Sequence, residues 1–147
     1  MLRIEVSTLV SRPVPEVWGY FIDLTNSARW TRSGSELRQT SDGALGVGAT
    51  INSVRPMFGW EIKSQTMTVT HYEPEHLASF TAAIPVLGRV TGGFTFKSEG
   101  GGTRLSRWSD LGLGRAEGLL GSILDRVARR GQQTEMANLK RLIEARL

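Results

Sequence analysis

Histidine, the side chain most often used to bind a metal or to move a proton near neutral pH, occurs twice in this sequence, as His71 and His76. The two residues flank YEPE, at a predicted strand end and turn, which is not the spacing of a helical zinc pair. A metal site needs three or four ligands, so we interpret both as surface or strand-end residues and expect no metal. The sequence also lacks a Ser-His-Asp order, a Walker loop and a dinucleotide fingerprint.

Five other polar residues are candidates for a functional site: Arg107, Asp110, Glu61, Tyr72 and Glu135. Arg107 and Asp110 belong to GGTRLSRWSDL, where they lie close to a predicted interior. For each of the five the alternative is a solvated surface position, because charged residues are rarely buried without a partner.

Aromatic residues could form the wall of a pocket for an apolar molecule, since they combine a large apolar area with few polar groups. Trp30 follows a short predicted helix, where core packing and pocket lining are both open. Trp60 opens a strand after MFG and could close one end of a pocket, whereas Trp18 is interpreted as core. Phe94 and Phe96 alternate on one strand and therefore share a face, which we expect to be the inward one.

The elements that position these residues begin with a strand and two short helices. Alternation over residues 2–10 predicts a half-buried strand, and SRPVPEVWGYFID predicts a helix that ends near Asp23. LTNSARWTRS predicts one or two further helical turns, capped at Thr25 or Asn26 and carrying Trp30.

The rest of the chain divides into strands followed by a helix. From about residue 35 to 111, five or six strand-like runs separated by short turn signals predict an antiparallel meander. Residues from about 115 to 146 are predicted to be helical. The order of elements indicates one α+β domain over residues 1–147.

The long helix has two apolar stripes that do not align. The first consists of Leu119, Leu120, Ile123, Leu124 and Val127, and the second of Met136, Leu139, Leu142 and Ile143. Between them, the face that continues the first stripe carries the small or polar residues Gly131, Thr134, Glu135 and Asn138. The helix therefore either kinks near Gly131 or turns its middle toward something other than a dense core, as across the mouth of a cavity. The alternative is two helices with a break at Gly131.

Composition excludes several classes of protein. The 147 residues have a net charge of +4, spread over dispersed arginines, and no cysteine. A nucleic-acid binder more often concentrates its basic residues with aromatics on one face, so no nucleic-acid partner is expected. The first residues do not form a signal peptide and no apolar run reaches the length of a membrane span, so a cytoplasmic location is expected.

Four stretches together resemble a known family: SRPVPEVWGYFIDLTNSARW, THYEPEHLASF, GGTRLSRW and MANLKRLIE. They resemble the START-like (SRPBCC) superfamily of helix-grip proteins, specifically its bacterial polyketide cyclase/dehydrase and lipid-transport group, over nearly the whole chain. The resemblance implies a strongly curved antiparallel sheet that grips the C-terminal helix, with a cavity between them and Trp30 near its entrance. The superfamily includes aromatase/cyclases, lipid carriers, hormone receptors and chaperone cofactors, so the resemblance is specific for fold and not for function.

Two functions follow from this resemblance as expectations. The first is binding or transport of a small hydrophobic molecule, such as a lipid, an isoprenoid or a polyketide, by a monomer or homodimer without a cofactor. The second is a polyketide cyclase or dehydrase, in which polar cavity residues act as acid or base. Its catalytic residues are unknown; the candidates are Arg107, Tyr72 and Asp110. The residues expected to bind the ligand are Trp30, Phe58, Trp60, Phe80, Phe94, Phe96, Gly131 and Asn138.

Overall fold

A seven-stranded antiparallel sheet forms the body of the protein. The computed structural model describes residues 2–84, 88–112 and 117–146. The spatial order of the strands is β1-β7-β6-β5-β4-β3-β2. In chain order they are β1 Leu2–Val10, β2 Glu36–Gln39, β3 Thr50–Met57, β4 Trp60–Glu73, β5 Leu77–Ile84, β6 Gly88–Glu99 and β7 Gly102–Leu111. Strands β2 to β7 form the predicted meander, and β1 closes against its last strand.

Two short helices follow β1. Helix α1, Val14–Ile22, has a proline in its first turn, where a missing N–H costs nothing. A 3₁₀ turn, Leu24–Asn26, and helix α2, Ser27–Trp30, come next. The side chain of Asp23 accepts a hydrogen bond from the Thr25 N–H and so caps the 3₁₀ turn. Asn26, one of the two predicted caps, is the N-cap residue of α2, but its side chain makes no capping hydrogen bond.

The last helix, α3 Glu117–Glu144, is continuous through Gly131. The alternative of two helices with a break at that glycine is therefore wrong. The predicted beginning near residue 115 lies outside the described residues. Of the second apolar stripe, Met136, Leu139 and Ile143 are buried, as predicted.

Two residues of the first apolar stripe of α3 are exposed, whereas the side chains of Leu119 and Leu120 lie outside the described residues. Ile123 and Val127 are 59% and 56% exposed. Leu124 and Ala128 pack against a small cluster formed by Ile4 on β1 and Leu111 on β7. The face that meets the sheet in this half of the helix is thus rotated away from Ile123 and Val127.

Among the described residues, no helix combines the length and apolar character needed to cross a membrane.

An aromatic cluster joins the short helices to the sheet. The Phe21 ring of α1 lies 4.5 Å from the Phe94 ring and 5.4 Å from the Phe96 ring, measured between centroids. Trp18 meets Phe96 edge to face, with ring centroids 5.0 Å apart. Trp30 of α2 also meets Phe94, with ring centroids 6.2 Å apart, so α1 and α2 both lie over one face of the sheet, called here the inner face.

The sheet bends where glycines and bulges permit it. Two irregularities in register occur in β3 and β4, between Ser53 and Val54 and between Val69 and His71. In β6, a β-carbon on Gly93 would stand 2.8 Å from the backbone oxygen of Ala78. The backbones of β5 and β6 can approach this closely only because that residue has no side chain. The result is the helix-grip fold: a curved antiparallel sheet, two short helices after β1 and a long C-terminal helix.

Candidate functional site

A cavity of about 300 Å³ lies on the inner face of the sheet. Its walls come from strands β2 to β7, from the segment containing α1 and α2, and from Glu135 on α3. Most of the lining side chains are apolar, including Phe21, Trp30, Leu37, Ile51, Met67, Val69, Phe80, Ala82, Val90 and Phe94. The volume is at the lower end of the roughly 300–1,000 Å³ of small-molecule sites.

The position of the cavity differs from the expected one beneath the C-terminal helix. In the described part of α3, Glu135 is the one residue that borders the cavity. The neighbouring residues Met136 and Leu139 are buried in the main core with Trp18, Phe94 and others. The second half of α3 therefore packs densely, and the cavity lies between the sheet and the α1–α2 segment.

One row of cross-strand pairs runs across the cavity wall. Tyr72 on β4 pairs with Ala78 on β5, Ala78 pairs with Phe94 on β6, and Phe94 pairs with Arg107 on β7. Directly paired residues point to the same side of a sheet, so these four side chains share the inner face. Tyr72 and Arg107 are three strands apart, which is roughly 14 Å along the sheet at about 4.8 Å per strand.

Arg107 and Glu135 form an ion pair at the cavity wall. Arg107 Nη1 donates to Glu135 Oε1 at 2.6 Å, and the two side chains are 21% and 18% exposed. The backbone N–H of Arg32 donates to Glu135 Oε2 at 3.0 Å. The Arg107 guanidinium also lies over the Phe94 ring, with Cζ 5.0 Å from the centroid. One carboxylate thus links α3, β7 and the loop after α2.

Two further polar groups lie near the apolar wall. Burial raises the pKa of the Tyr72 phenol above its ordinary value, so this side chain is a neutral hydroxyl at physiological pH. Trp30 is buried, and its indole Nε1 has no hydrogen-bond partner among the described residues. A buried donor without an acceptor is unusual and destabilising.

Three of the predicted ligand-binding residues line the cavity together: Trp30, Phe80 and Phe94. Among the polar candidates, Arg107, Tyr72 and Glu135 line it as well. Whether these residues bind a ligand remains a prediction, but the sequence identified side chains that the fold brings to one surface.

The other predicted site residues lie elsewhere. Phe58 and Trp60 are 94% and 77% exposed at the turn between β3 and β4. Phe96 is buried in the aromatic core. Gly131 packs against the side chain of Arg32, and Asn138 Nδ2 donates to the Trp30 carbonyl at 3.2 Å. None of these five residues contributes to the described lining of the cavity.

Asp110 and Glu61 are also away from the cavity lining. Arg3 Nε donates to Asp110 Oδ1 at 2.7 Å, and this bond lowers the pKa of the Asp110 carboxyl group. Glu61 accepts hydrogen bonds from the guanidinium of Arg38 on β2. Both carboxylates are therefore paired with arginine: Asp110 with Arg3 on the adjacent strand β1, and Glu61 with Arg38 on β2, across the intervening strand β3.

Sequence reasoning missed several lining residues, among them Phe21, Ile51, Met67 and Val69. Met67 and Val69 alternate along β4, and that alternation was a usable signal for a shared face. Phe21 lies on the apolar face of α1, a position equally typical of ordinary core.

The described residues contain no group of three or more His, Cys, Asp or Glu side chains that could hold a metal ion. What the cavity offers is therefore an apolar surface, one arginine–glutamate pair and several hydroxyl groups. Such a surface suits an apolar molecule with few polar atoms.

Solved structures with the same fold have dissimilar sequences. TTHA0849 from Thermus thermophilus is 17% identical, with a TM-score of 0.74 and 98% of each chain covered. Ara h 8.0201 is 9% identical, with a TM-score of 0.75 and 99% of each chain covered. The di-domain ARO/CYC BexL from the BE-7585A biosynthetic pathway is 19% identical, with a TM-score of 0.77 over 98% of this chain and 47% of BexL. No curated protein matches the sequence.

A family model identifies the protein family of this chain, which structures of such low sequence identity do not. The model described as polyketide cyclase / dehydrase and lipid transport matches residues 1–144. The match covers both short helices, the whole sheet and α3, and so includes every wall of the cavity. The chain therefore belongs to the polyketide cyclase/dehydrase and lipid transport family.

Proposed function

We propose that residues 1–147 act as one domain that binds a small, predominantly apolar molecule in the cavity on the inner face of the sheet. The observation that carries this proposal is the composition of the wall: aromatic and aliphatic side chains predominate, and the charges there are confined to Arg107 and Glu135 in the described lining. Apolar area removed from water contributes roughly 25 cal/mol per Å², so such a wall favours an apolar occupant.

The test uses a pair of alanines that are neighbours on β5. Ala82 lines the cavity, whereas Ala83 is exposed. Ala82→Phe should fill the cavity and weaken binding of the neutral fluorescent probe N-phenyl-1-naphthylamine by about tenfold or more. Ala83→Phe adds the same group outside the cavity and should leave the affinity for the probe unchanged.

Two results would contradict the binding function. One is a wild-type protein whose folding is confirmed by circular dichroism but which does not bind the probe. The other is an equal effect of Ala82→Phe and Ala83→Phe on the affinity, which would place probe binding outside the cavity.

A second candidate is a cyclase or dehydrase acting on a polyketide-like substrate. The observation that favours it is the Arg107–Glu135 pair at the cavity wall, because a guanidinium can stabilise an enolate oxygen and a carboxylate can accept a proton. The separation of Tyr72 from Arg107 along the sheet weighs against these two residues forming an acid/base pair. Product analysis after incubation with a linear poly-β-ketone, compared with Arg107→Gln, distinguishes this candidate from binding alone.

A further inference from the structure

The two charges in the cavity wall cancel each other. Arg107 and Glu135 carry opposite charges, and in the described lining they are the two charged residues. Their contact of 2.6 Å means that the positive charge of Arg107 has its counterion in place before any ligand binds. A ligand that enters therefore meets a balanced pair and not a free cation.

Glu135 is held firmly in that position. Both of its oxygens accept hydrogen bonds, one from Arg107 Nη1 and one from the Arg32 N–H. A ligand carboxylate that displaced Glu135 from Arg107 would leave the Glu135 charge partly buried without its cationic partner, which is costly. Displacement of Glu135 is therefore unfavourable.

Arg107 nevertheless retains donors for a ligand. A guanidinium has five N–H groups, and the contact with Glu135 uses Nη1. Within the part of the chain that the structure describes, Nε and Nη2 of Arg107 make no hydrogen bond. The guanidinium rests on the Phe94 ring, which keeps its plane at the apolar wall.

These contacts discriminate between ligands by charge. An anion beside Arg107 is attracted by the guanidinium and repelled by Glu135, so little net attraction remains to offset the loss of its hydration. A neutral oxygen, as in a ketone or an alcohol, can accept a hydrogen bond from Arg107 with a much smaller loss of hydration.

We propose that Glu135 sets the charge selectivity of the cavity, which binds a neutral apolar molecule through a carbonyl or hydroxyl oxygen on Arg107 and rejects carboxylates. This inference rests on the proposed binding function. It makes Glu135 a specificity-determining residue and Arg107 the polar anchor for the ligand.

The experiment compares two ligands of nearly equal shape: decanoate and the methyl ketone with the same alkyl chain. Isothermal titration calorimetry at neutral pH, where decanoic acid is ionised, gives both affinities without a competing probe. The wild-type protein should bind the ketone at least about tenfold more tightly than decanoate. Equal affinities, or tighter binding of decanoate, would overturn the inference.

Glu135→Gln removes the negative charge while keeping the side-chain length and one acceptor oxygen. Decanoate should then bind about tenfold more tightly than to the wild type, with the ketone changed less than about threefold. An unchanged ratio of the two affinities would refute the role of Glu135.

Arg107→Gln is the complementary variant, and it remains informative if Glu135→Gln does not fold. It should weaken ketone binding by about tenfold without improving decanoate binding. Unchanged ketone affinity would show that Arg107 is not the anchor. If the cavity does not bind ligands at all, neither decanoate nor the ketone binds, and Ala82→Phe does not change the affinity for the probe. If only the inferred charge selectivity is wrong, the ligands still bind but without the expected preference for the ketone.

Discussion

The guanidinium of Arg32 lies against the backbone of Gly131, so closely that a β-carbon on Gly131 would stand 2.7 Å from Arg32 Nη1. Gly131 is buried in the middle of a continuous helix, where glycine is unfavourable by about 1 kcal/mol relative to alanine. The glycine therefore accommodates the loop after α2, whose Arg32 N–H is bound by Glu135 one turn further along the helix.

Gly131→Ala should show coupling to Arg32. In an Arg32→Ala background the substitution should stabilise the protein by about 1 kcal/mol through helix propensity. In the wild-type background the gain should be smaller or reversed, because the new methyl group must displace the guanidinium. Urea unfolding of the four proteins gives the coupling free energy as a double-mutant cycle. Additive effects of the two substitutions would contradict the contact.

Phe94 and Phe96 should respond differently to truncation, although they alternate on one strand. Phe96 is buried in the aromatic core and absent from the described cavity lining, so Phe96→Ala should cost about 3–5 kcal/mol and leave probe affinity per folded molecule unchanged. Phe94 borders the cavity, so Phe94→Ala should cost less and weaken probe binding. Urea unfolding and titration with N-phenyl-1-naphthylamine measure the two effects.

Phe96→Ala is the control for Phe94→Ala, because it removes the same side chain from the core and not from the cavity wall. A core-sized loss of stability for Phe94→Ala, together with unaltered probe affinity, would rule out its role in the wall. Weakened probe binding by Phe96→Ala would mean that the cavity extends further into the core than the structure describes.

Glu144 should make the fold sensitive to acid. Its carboxylate accepts hydrogen bonds from Lys140 Nζ at 2.7 Å and from the Ser11 N–H at 2.8 Å, and these lower the pKa of the carboxyl group, the bond from Lys140 most. Because the folded-state pKa is below the unfolded-state value, the stabilisation is fully present above about pH 4.5 and is lost as the pH falls through the folded-state pKa.

Urea unfolding between neutral pH and pH 3 measures this dependence. Glu144→Gln should reduce the loss of unfolding free energy on acidification, and Glu73→Gln should not, because the exposed side chain of Glu73 belongs to none of the described ion pairs. An identical acid dependence in wild type and Glu144→Gln would contradict the assignment.

Phe58 and Trp60 should be tolerant of substitution. Both side chains are largely exposed at the β3–β4 turn, so Phe58→Ser and Trp60→Ser should each change the unfolding free energy by less than about 0.5 kcal/mol. Acrylamide quenching should be markedly reduced by Trp60→Ser and little affected by Trp30→Phe, because Trp30 is buried. A loss of probe binding in either turn variant would contradict this prediction and would show that the substituted residue takes part in ligand binding.

The order of elements could be predicted from the sequence because each element has a local signal. The strand–helix–meander–helix order, the buried second stripe of α3 and the shared face of Phe94 and Phe96 all follow from periodicity within one segment. The capping of this segment was predicted only in part: Asn26 is the N-cap residue of α2, but the side chain that makes a capping hydrogen bond is that of Asp23, at the start of the 3₁₀ turn. Asp, Thr and Asn are all suitable capping residues, so local sequence does not choose among them.

The cavity wall could be predicted only in part, because it depends on the register between strands. The irregularities at Ser53/Val54 and Val69/His71 interrupt alternation, so counting along β4 from Tyr72 does not reveal which way Trp60 points. The contact of Gly131 with Arg32 joins residues about a hundred positions apart and has no local signal. The sequence singled out Glu135, because it is polar on a helix face where leucine would be expected. It did not predict that Arg107 and the Arg32 N–H would be its hydrogen-bond partners.

The pairing of β1 with β7 has a consequence for how the protein is made. Leu2 pairs with Leu111 and Val10 with Thr103, so β1 has no partner in this sheet until β7, the last strand in chain order, has been synthesised. Until then β1 presents an unpaired edge and its buried Ile4 and Val10 to the surrounding solution. Closure of the sheet is therefore a long-range event that requires almost the whole chain, and such long-range pairing is intrinsically slow and leaves strand edges exposed meanwhile.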